Sequence, residues 1–387
     1  MAKFDSAIAG VGFTEYSLDS GRSILALAVE ACQKAMADAG LQPKDVDGIL
    51  EFSLGDSVPT ESVAAGLGLP EVNYAADWFC GGFAPSALIA TASMAVASGM
   101  SKGVLIYRAM NGRSGFRLGG AGGGDAFRPR SGAQYRVPYG WLTFGQNMAL
   151  WCRRHMEKYG TKQEHLAAIA ISQRESALLN ERAIQRKPLT LQDYMASRVI
   201  AEPFHLFDMS LETDGACALL VTSAPRARNC RKKPVYVRSA GHFGKATVAD
   251  PMWADAFLWP DLTENYTRFL APRLYEEAGL KPEDVDVAEI YDCFTYTVLM
   301  ALEGLGFCKK GEGGPFAASG ATGLKGKIPV NTNGGMLSEA YIHGMNTVAE
   351  AVMQLRGECG KRQVPNAEVA FVTSGATTIG SACILTV

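Results

Sequence analysis

Nine residues near the start of the chain, Ala39-Gly-Leu-Gln-Pro-Lys-Asp-Val-Asp47, return as Ala278-Gly-Leu-Lys-Pro-Glu-Asp-Val-Asp286, a shift of 239 positions with seven of the nine identical. The Ala-Gly-Leu-x-Pro core is helix-exit chemistry: glycine takes the left-handed conformation that closes a helix, and a proline turn follows. A strand is expected after each copy, as Val46-Asp-Gly-Ile-Leu-Glu-Phe52 reads in the first. One helix exit, turn and strand in each half is what a duplicated α/β domain predicts. The preceding residues agree. Ser6 to Phe13 reads as a buried strand, and from Ser23 apolar or small residues recur at Ile24, Leu27, Ala28, Ala31, Cys32, Ala35 and Ala39, the rhythm of a helix that Gly40 ends.

A chain of 387 residues can bury two hydrophobic cores or one composite core. Its 48% hydrophobic content and net charge of −2 exclude a disordered chain and give no footprint for nucleic acid. Nine cysteines, an odd number without a C-x-x-C pair, fit neither a disulfide framework nor a zinc ribbon. The start of the chain carries no basic segment followed by an apolar core, so a cytoplasmic location is expected. Trp78 to Ser101 runs 24 residues without a charge, long enough to span a bilayer. Its Cys80-Gly-Gly82, Pro85, serines and many alanines instead predict a helix buried at a close-packed protein interface.

Between the halves, Pro225 to Pro234 holds five basic residues and reads as a solvated linker. Asn111 to Gly140 reads as a long functional loop, with glycines 112, 115, 119, 120, 122, 123 and 124 and arginines 113, 117, 128, 130 and 136 against the single acid Asp125. Arg113 and Arg117 suit the phosphates of a bulky anionic ligand or an acidic partner, or equally a subunit contact. Helical patterns resume over 145–160 and 161–180. The five histidines never form an H-x-x-x-H pattern, so no metal site is expected.

Four blocks make the sequence resemble the thiolase superfamily, in particular its sterol-carrier or lipid-transfer branch. Thiolases place a nucleophilic cysteine at the head of a small-residue helix; here Trp78-Phe-Cys-Gly-Gly-Phe-Ala-Pro-Ser through Ser98-Gly99 is similar, but the family interval puts the nucleophile position on Gly82, two residues after Cys80. The family block Asn-Glu-Ala-Phe or His-Asp-Cys-Phe corresponds to Tyr291-Asp-Cys-Phe294. The stretch Asn331-Thr-Asn-Gly-Gly-Met-Leu-Ser-Glu-Ala-Tyr341 sets Tyr341 at the catalytic histidine, with His343 two residues later. Ser374-Gly-Ala-Thr-Thr-Ile-Gly380 sets Ser374 at the acid/base cysteine. All four chemical positions have changed, whereas the surrounding glycines remain.

The resemblance implies a thiolase-like α/β fold of two halves about a pseudo-twofold, each a mixed five-stranded sheet, spanning 1–230 and 231–387, with a loop domain inserted at about 111–210. The changed positions, with Tyr107-Arg-Ala-Met-Asn-Gly-Arg through Gly119 and Val137-Pro-Tyr-Gly140, are similar to one subgroup, the steroid side-chain aldolases. That implies retro-aldol cleavage of a β-hydroxyacyl-CoA thioester on a steroid or bile-acid side chain, giving a ring ketone and propionyl-CoA or acetyl-CoA.

Such cleavage needs a base, donors for the enolate oxygen and an acid, but no covalent intermediate, and neither cofactor nor metal is expected. Tyr291 and Tyr341 are the candidate proton-transfer pair. Asn331, Asn333 and the backbone of Gly334 and Gly335 are candidate enolate donors, with Gly82, Ser374 and His343 at the substrate and Arg113 and Arg117 toward CoA. The resemblance further implies a homodimer that works with an OB-fold/zinc-ribbon acyl-CoA-binding protein linked to a MaoC-type enoyl-CoA hydratase. Two rival readings stay open: a non-catalytic acyl-CoA or lipid carrier or hydratase scaffold, and a thiolase using Cys80 as a shifted nucleophile.

Overall fold

The computed structural model describes residues 4–117, 119, 133–244 and 259–387. Within it both copies of the repeated segment fold alike. Helix α1 (Ile24–Ala39) begins at Ser23, whose side chain accepts the Ala26 N–H, and closes at Gly40 with φ 73°. A 3-10 turn (Pro43–Asp45) and strand β2 (Gly48–Ser53) follow. In the second copy α6 (Thr267–Ala278) closes at Gly279 with φ 70°, and the turn Pro282–Asp284 leads to β9 (Val287–Glu289).

The acids of the motif have matching duties. Asp45 and Asp284 accept the backbone N–H of Gln42 and Lys281, three residues back. Asp47 accepts the N–H groups of Lys102 and Gly103 where β4 (Gly103–Asn111) begins, and Asp286 those of Glu368 and Val369 where β10 (Val369–Ser374) begins. The shared glycine therefore takes a positive φ, the shared proline opens a turn, and the shared aspartates hold that turn and the entry of a neighbouring strand.

The remaining strands are β1 (Ser6–Phe13), β3 (Tyr74–Phe79), a short ribbon of β5 (Val199–Ala201) and β6 (Phe204–His205), β7 (Asp214–Ser223), β8 (Val235–Gly244) and β11 (Ile379–Thr386). Apart from the ribbon they form one sheet in the order β3-β2-β4-β7-β1-β8-β11-β10-β9. The first half supplies five strands, with β2 parallel to β3 and β4 and the rest antiparallel. The second half repeats this pattern with four: β9 parallel to β10, then β11 and β8 antiparallel. Its expected fifth strand is reduced to a single parallel bridge between Ala288 and Val330. The cause is the next residue, Asn331, which turns away at φ 50° and pairs its side-chain amide with both the N–H and the carbonyl of Ile290, replacing the next rung.

The halves meet at β1 and β8 through only two residue pairs, Ala7 with Tyr236 and Ile8 with Val235. Two helices, α3 (Ala84–Ala97) and α9 (Met345–Arg356), pack against strands of both halves, while α1 and α6 cover the outer faces, giving an α/β/α/β/α layering. This position accounts for much of the charge-free stretch: most of α3 is buried, its alanines admit close approach, and Ser93 accepts a hydrogen bond from Ser6 at 2.7 Å, while Met94 on its open side is exposed. No helix among the described residues is long and apolar enough to cross a membrane.

The basic run after Pro225 connects β7 to β8 and is largely exposed, as a solvated linker would be, but it is anchored along its length. Arg226 donates to the carbonyls of Lys102 and Asp45, Arg231 to that of Ala37, and Lys232 pairs with Glu358, so it is fastened to three surrounding segments. Of the glycine- and arginine-rich loop, Gly120 to Arg130 lie outside the described residues, as does the Arg136 side chain. Beyond it α4 (Phe144–Tyr159) starts with a Thr143/Gln146 capping box, and α5 (Gln163–Leu178) packs against the short helix α8 (Gly335–Ser338).

Gly10 of β1 lies so close to α1 that a Cβ there would stand 2.0 Å from the Ala35 carbonyl oxygen. Gly10→Ala is expected to force helix and sheet apart and to destabilise the protein by about 1–3 kcal/mol. A lower denaturation midpoint at unchanged slope checks this.

Candidate active site

Tyr291 lies just past the end of β9. Its backbone N–H donates to the Thr373 hydroxyl at 2.9 Å, and its carbonyl accepts the Thr297 hydroxyl at 3.0 Å. Tyr341 follows α8, and its N–H donates to the Thr213 hydroxyl at 3.0 Å. With both backbones pinned, the phenolic oxygens lie 3.5 Å apart, and the side chains are 4% and 9% exposed. Burial pushes both phenols above the ordinary tyrosine range. The neighbouring Tyr341 raises Tyr291 further, whereas on Tyr341 the Tyr291 hydroxyl and the charge of Arg108 act the other way.

Gly82 makes room for this pair. A Cβ at position 82 would lie 1.9 Å from Tyr291 Oη and 2.2 Å from its Cζ, so the phenol occupies the volume a side chain there would need. Gly344 gives the ring its other flank: a Cβ there would stand 2.9 Å from Tyr291 Cδ2. The head of α3 is clasped by the second half. Ser374 Oγ accepts the Ser86 N–H and shares a hydrogen bond with the Ser86 hydroxyl, and Ser381 Oγ accepts the Ala87 N–H. Ser374 thus fastens the helix head. The N–H groups of Gly82 and Phe83 have no acceptor among the described residues, and the Cα of Gly82 abuts Tyr291 Oη.

The loop of Asn331, Asn333, Gly334 and Gly335 lies beside the tyrosines' frame, and several of its donors are held within the protein. Asn331 is spent on Ile290. Asn333 Nδ2 donates to Glu339, and its Oδ1 accepts the Gly335 N–H. The Gly334 N–H donates to the Asn331 carbonyl. Holding the loop from the other side is Asp292, whose carboxylate accepts the N–H groups of Met336 and Leu337 at 2.9 and 3.1 Å.

Cys80 is not poised as a nucleophile. It is buried, its thiol is pushed up to about 12 by burial and by Glu51, and its Sγ faces the Trp78 carbonyl at 3.8 Å. His242 belongs to β8, paired with Ser381, with its ring 5.8 Å from that of Phe83. Arg113 and Arg117 share Glu212: Arg117 Nε lies 2.5 Å and Arg113 Nη1 4.0 Å from its carboxylate, so they are not a free cationic pair. Glu212 in turn bridges to Tyr341 along the backbone.

A buried ion pair escaped the sequence reading. Arg108, wholly buried in β4, pairs with Asp56 at 2.5 Å and reaches His343 Nδ1 at 3.4 Å, and the His343 ring lies 5.2 Å from that of Tyr341. The signal was a single charge inside the apolar run Gly103-Val-Leu-Ile-Tyr-Arg-Ala-Met110, since arginine is seldom fully buried without a partner. Gly82→Ala is expected to displace the Tyr291 ring and lower turnover at least about 100-fold, the scale of a misplaced proton-transfer group. Circular dichroism and a steady-state assay check that the loss comes without unfolding.

Residues 254–387 match the thiolase C-terminal domain-like family. The chain is 40% identical over 390 residues, covering 100% of both proteins, to the 17-hydroxy-3-oxo-4-pregnene-20-carboxyl-CoA lyase of Mycobacterium tuberculosis. It is also 40% identical to the steroid side-chain-cleaving aldolase of Thermomonospora curvata, over 91% of this chain and 90% of that one. A solved structure described as the Ltp2–ChsH2(DUF35) aldolase superposes with a TM-score of 0.91 at 39% identity, covering 98% and 97% of the two chains. With a duplicated fold, a glycine at the nucleophile position and this identity over its full length, the chain belongs to the thiolase superfamily, in its branch of steroid side-chain-cleaving aldolases.

Proposed function

We propose that this protein is a lyase that cleaves the side chain of a steroid β-hydroxyacyl-CoA thioester by retro-aldol reaction, yielding a 17-ketosteroid and propionyl-CoA or acetyl-CoA. The observation that carries the reading is a pair of buried tyrosine hydroxyls 3.5 Å apart, one of them filling the volume beside a nucleophile position reduced to glycine. No acyl-enzyme can form at Gly82, so Claisen exchange through that position is closed.

The reaction balances without a cofactor. A base takes the proton of the β-hydroxyl, the C–O bond becomes a ketone, and the Cα–Cβ bond breaks with its electron pair passing into the thioester as an enolate. A proton then returns to the α-carbon. Tyr341, whose phenol is eased by Arg108 and the Tyr291 hydroxyl, suits the base; Tyr291, kept protonated more strongly, suits the acid. The N–H groups of Gly82 and Phe83, without an acceptor among the described residues, suit the enolate oxygen alongside the Asn331 to Gly335 loop. At the rim, Arg113 and Arg117 against the single carboxylate of Glu212 leave one net positive charge for the CoA phosphates.

The assembly is read from the sheet edge and from a relative. Strand β3 ends the sheet, no described strand pairs with its outer edge, and Phe79 at its end is 81% exposed, features that support a homodimer joined there. The similar structure described as a complex with ChsH2(DUF35) supports a DUF35 partner for this chain, and the OB-fold/zinc-ribbon protein linked to a MaoC-type hydratase fits that place. Hydration of an enoyl thioester makes the hydroxyacyl substrate that the aldolase consumes.

Incubated with that partner and a 17-hydroxy steroid bearing a short CoA-thioester side chain, the protein is expected to give equal amounts of 17-ketosteroid and short acyl-CoA. Tyr341→Phe and Tyr291→Phe are each expected to lower the rate about 10²–10⁴-fold without altering complex formation. A wild-type complex that binds the thioester yet releases no ketone over a range of side chains would instead identify a carrier or scaffold.

A further inference from the structure

We propose that His343 is a further catalytic residue: as a neutral imidazole with its proton on Nε2, it donates a hydrogen bond to the thioester oxygen as the enolate forms, and Arg108, held by Asp56, fixes that tautomer. The inference rests on the retro-aldol reading and adds a donor to it.

The argument begins with a guanidinium that only donates. Arg108 Nη2 lies 3.4 Å from His343 Nδ1, so Nδ1 must offer its lone pair, and a neutral ring then carries its hydrogen on Nε2. Neutrality has a physical cause: the ring is buried, and burial together with the Arg108 charge lowers its pKa to about 3, with Asp56 acting in the opposite direction. Arg108 cannot easily turn away. Asp56 holds Nη2 at 2.5 Å, the Ala109 carbonyl holds Nη1 at 3.1 Å, and the guanidinium lies 5.4 Å from the centre of the Phe52 ring, which also packs against His343.

The other ring nitrogen faces the site. Nε2 has no hydrogen-bond partner among the described residues, and it is the nearest atom to the space beside Gly81, 3.6 Å from where a Cβ would stand. The next residue, Gly82, abuts Tyr291 Oη. The Nε2–H, the free N–H of Gly82 and the tyrosine hydroxyl therefore border one two-glycine turn. The backbone is bent to achieve this: His343 sits at φ 53° and Gly344 at φ 87°, two left-handed residues in succession. A non-glycine residue in that region persists only where its surroundings enforce it.

Two measurements test the proposal on the full chain in complex with its partner. First, kcat and KM for ketone release are compared among wild type, His343→Leu and His343→Gln. Loss of one preorganised donor is expected to lower kcat about 100-fold in the leucine variant with KM within a few-fold, and glutamine, whose amide can donate from nearly the same place, is expected to recover at least about tenfold. Wild-type kcat in a folded His343→Leu protein would overturn the donor role.

Second, long-range ¹⁵N–¹H spectra of histidine-labelled protein, with the signal assigned by its loss in His343→Gln, report the tautomer without substrate. The expected pattern is a single Nε2–H imidazole; an Nδ1–H or doubly protonated ring would overturn the proposal. Arg108→Lys keeps a charge for Asp56 but removes the fork, and is expected to blur the tautomer signal and lower kcat; an unchanged spectrum and kcat would remove Arg108 from the argument. Failure of the aldolase reading shows itself separately, as absence of ketone with wild type.

Discussion

The carboxylate of Asp292 joins the two segments that carry the reacting groups. It sits next to Tyr291 in sequence and accepts the first backbone N–H groups of the turn that leads to Tyr341. Gly335 must lack a side chain for this approach, since a Cβ there would stand 2.1 Å from Asp292 Oδ2. Burial pushes the Asp292 carboxyl up to about 7, while the amides it accepts act against that rise. Removing one such acceptor would strand buried donors and cost more than the bond itself contributes.

Below this junction lies a second tier of polar contacts. Glu339 receives Asn180, Asn333 and Asn346, and Arg182 pairs with it at 3.2 Å. Glu350 receives Thr332, Gln354 and Arg362. Buried charges are costly unless every partner is supplied, and here the partners come from the inserted helices, the loop and α9 together. The Asn331 to Gly335 loop is tied into a frame that flanks the two phenols, and among the described residues the N–H groups of Gly82 and Phe83 at the head of α3 have no acceptor. Preorganisation of this kind lets a site work without moving at the moment of reaction.

Local chemistry made much of the architecture legible. The repeated Ala-Gly-Leu-x-Pro-x-Asp-Val-Asp segment announced its own turns, because glycine at positive φ and aspartate beside free amides have the same meaning wherever they occur. The tyrosines stood out because they occupy positions where the family carries other chemistry. What sequence could not reveal was which donors are already used: Asn-Gly-Gly reads the same whether its amides face a ligand or Glu339. Arg108 and Asp56, 52 positions apart, come together only when β4 packs beside the segment after β2. The shortened fifth strand of the second half was hidden for the same reason, since one asparagine side chain substitutes for a rung of the ladder.

The contact between Gly82 and Tyr291 also constrains the order in which such a site can arise. A cysteine at position 82 and a tyrosine at position 291 claim the same volume, so a chain holding both would have to expel one of them from the site. An ancestor with the nucleophile must therefore lose its side chain at 82 before, or together with, the gain of the phenol at 291. In either direction single steps pass through the same intermediate, a site with neither thiol nor phenol, because the two side chains exclude each other.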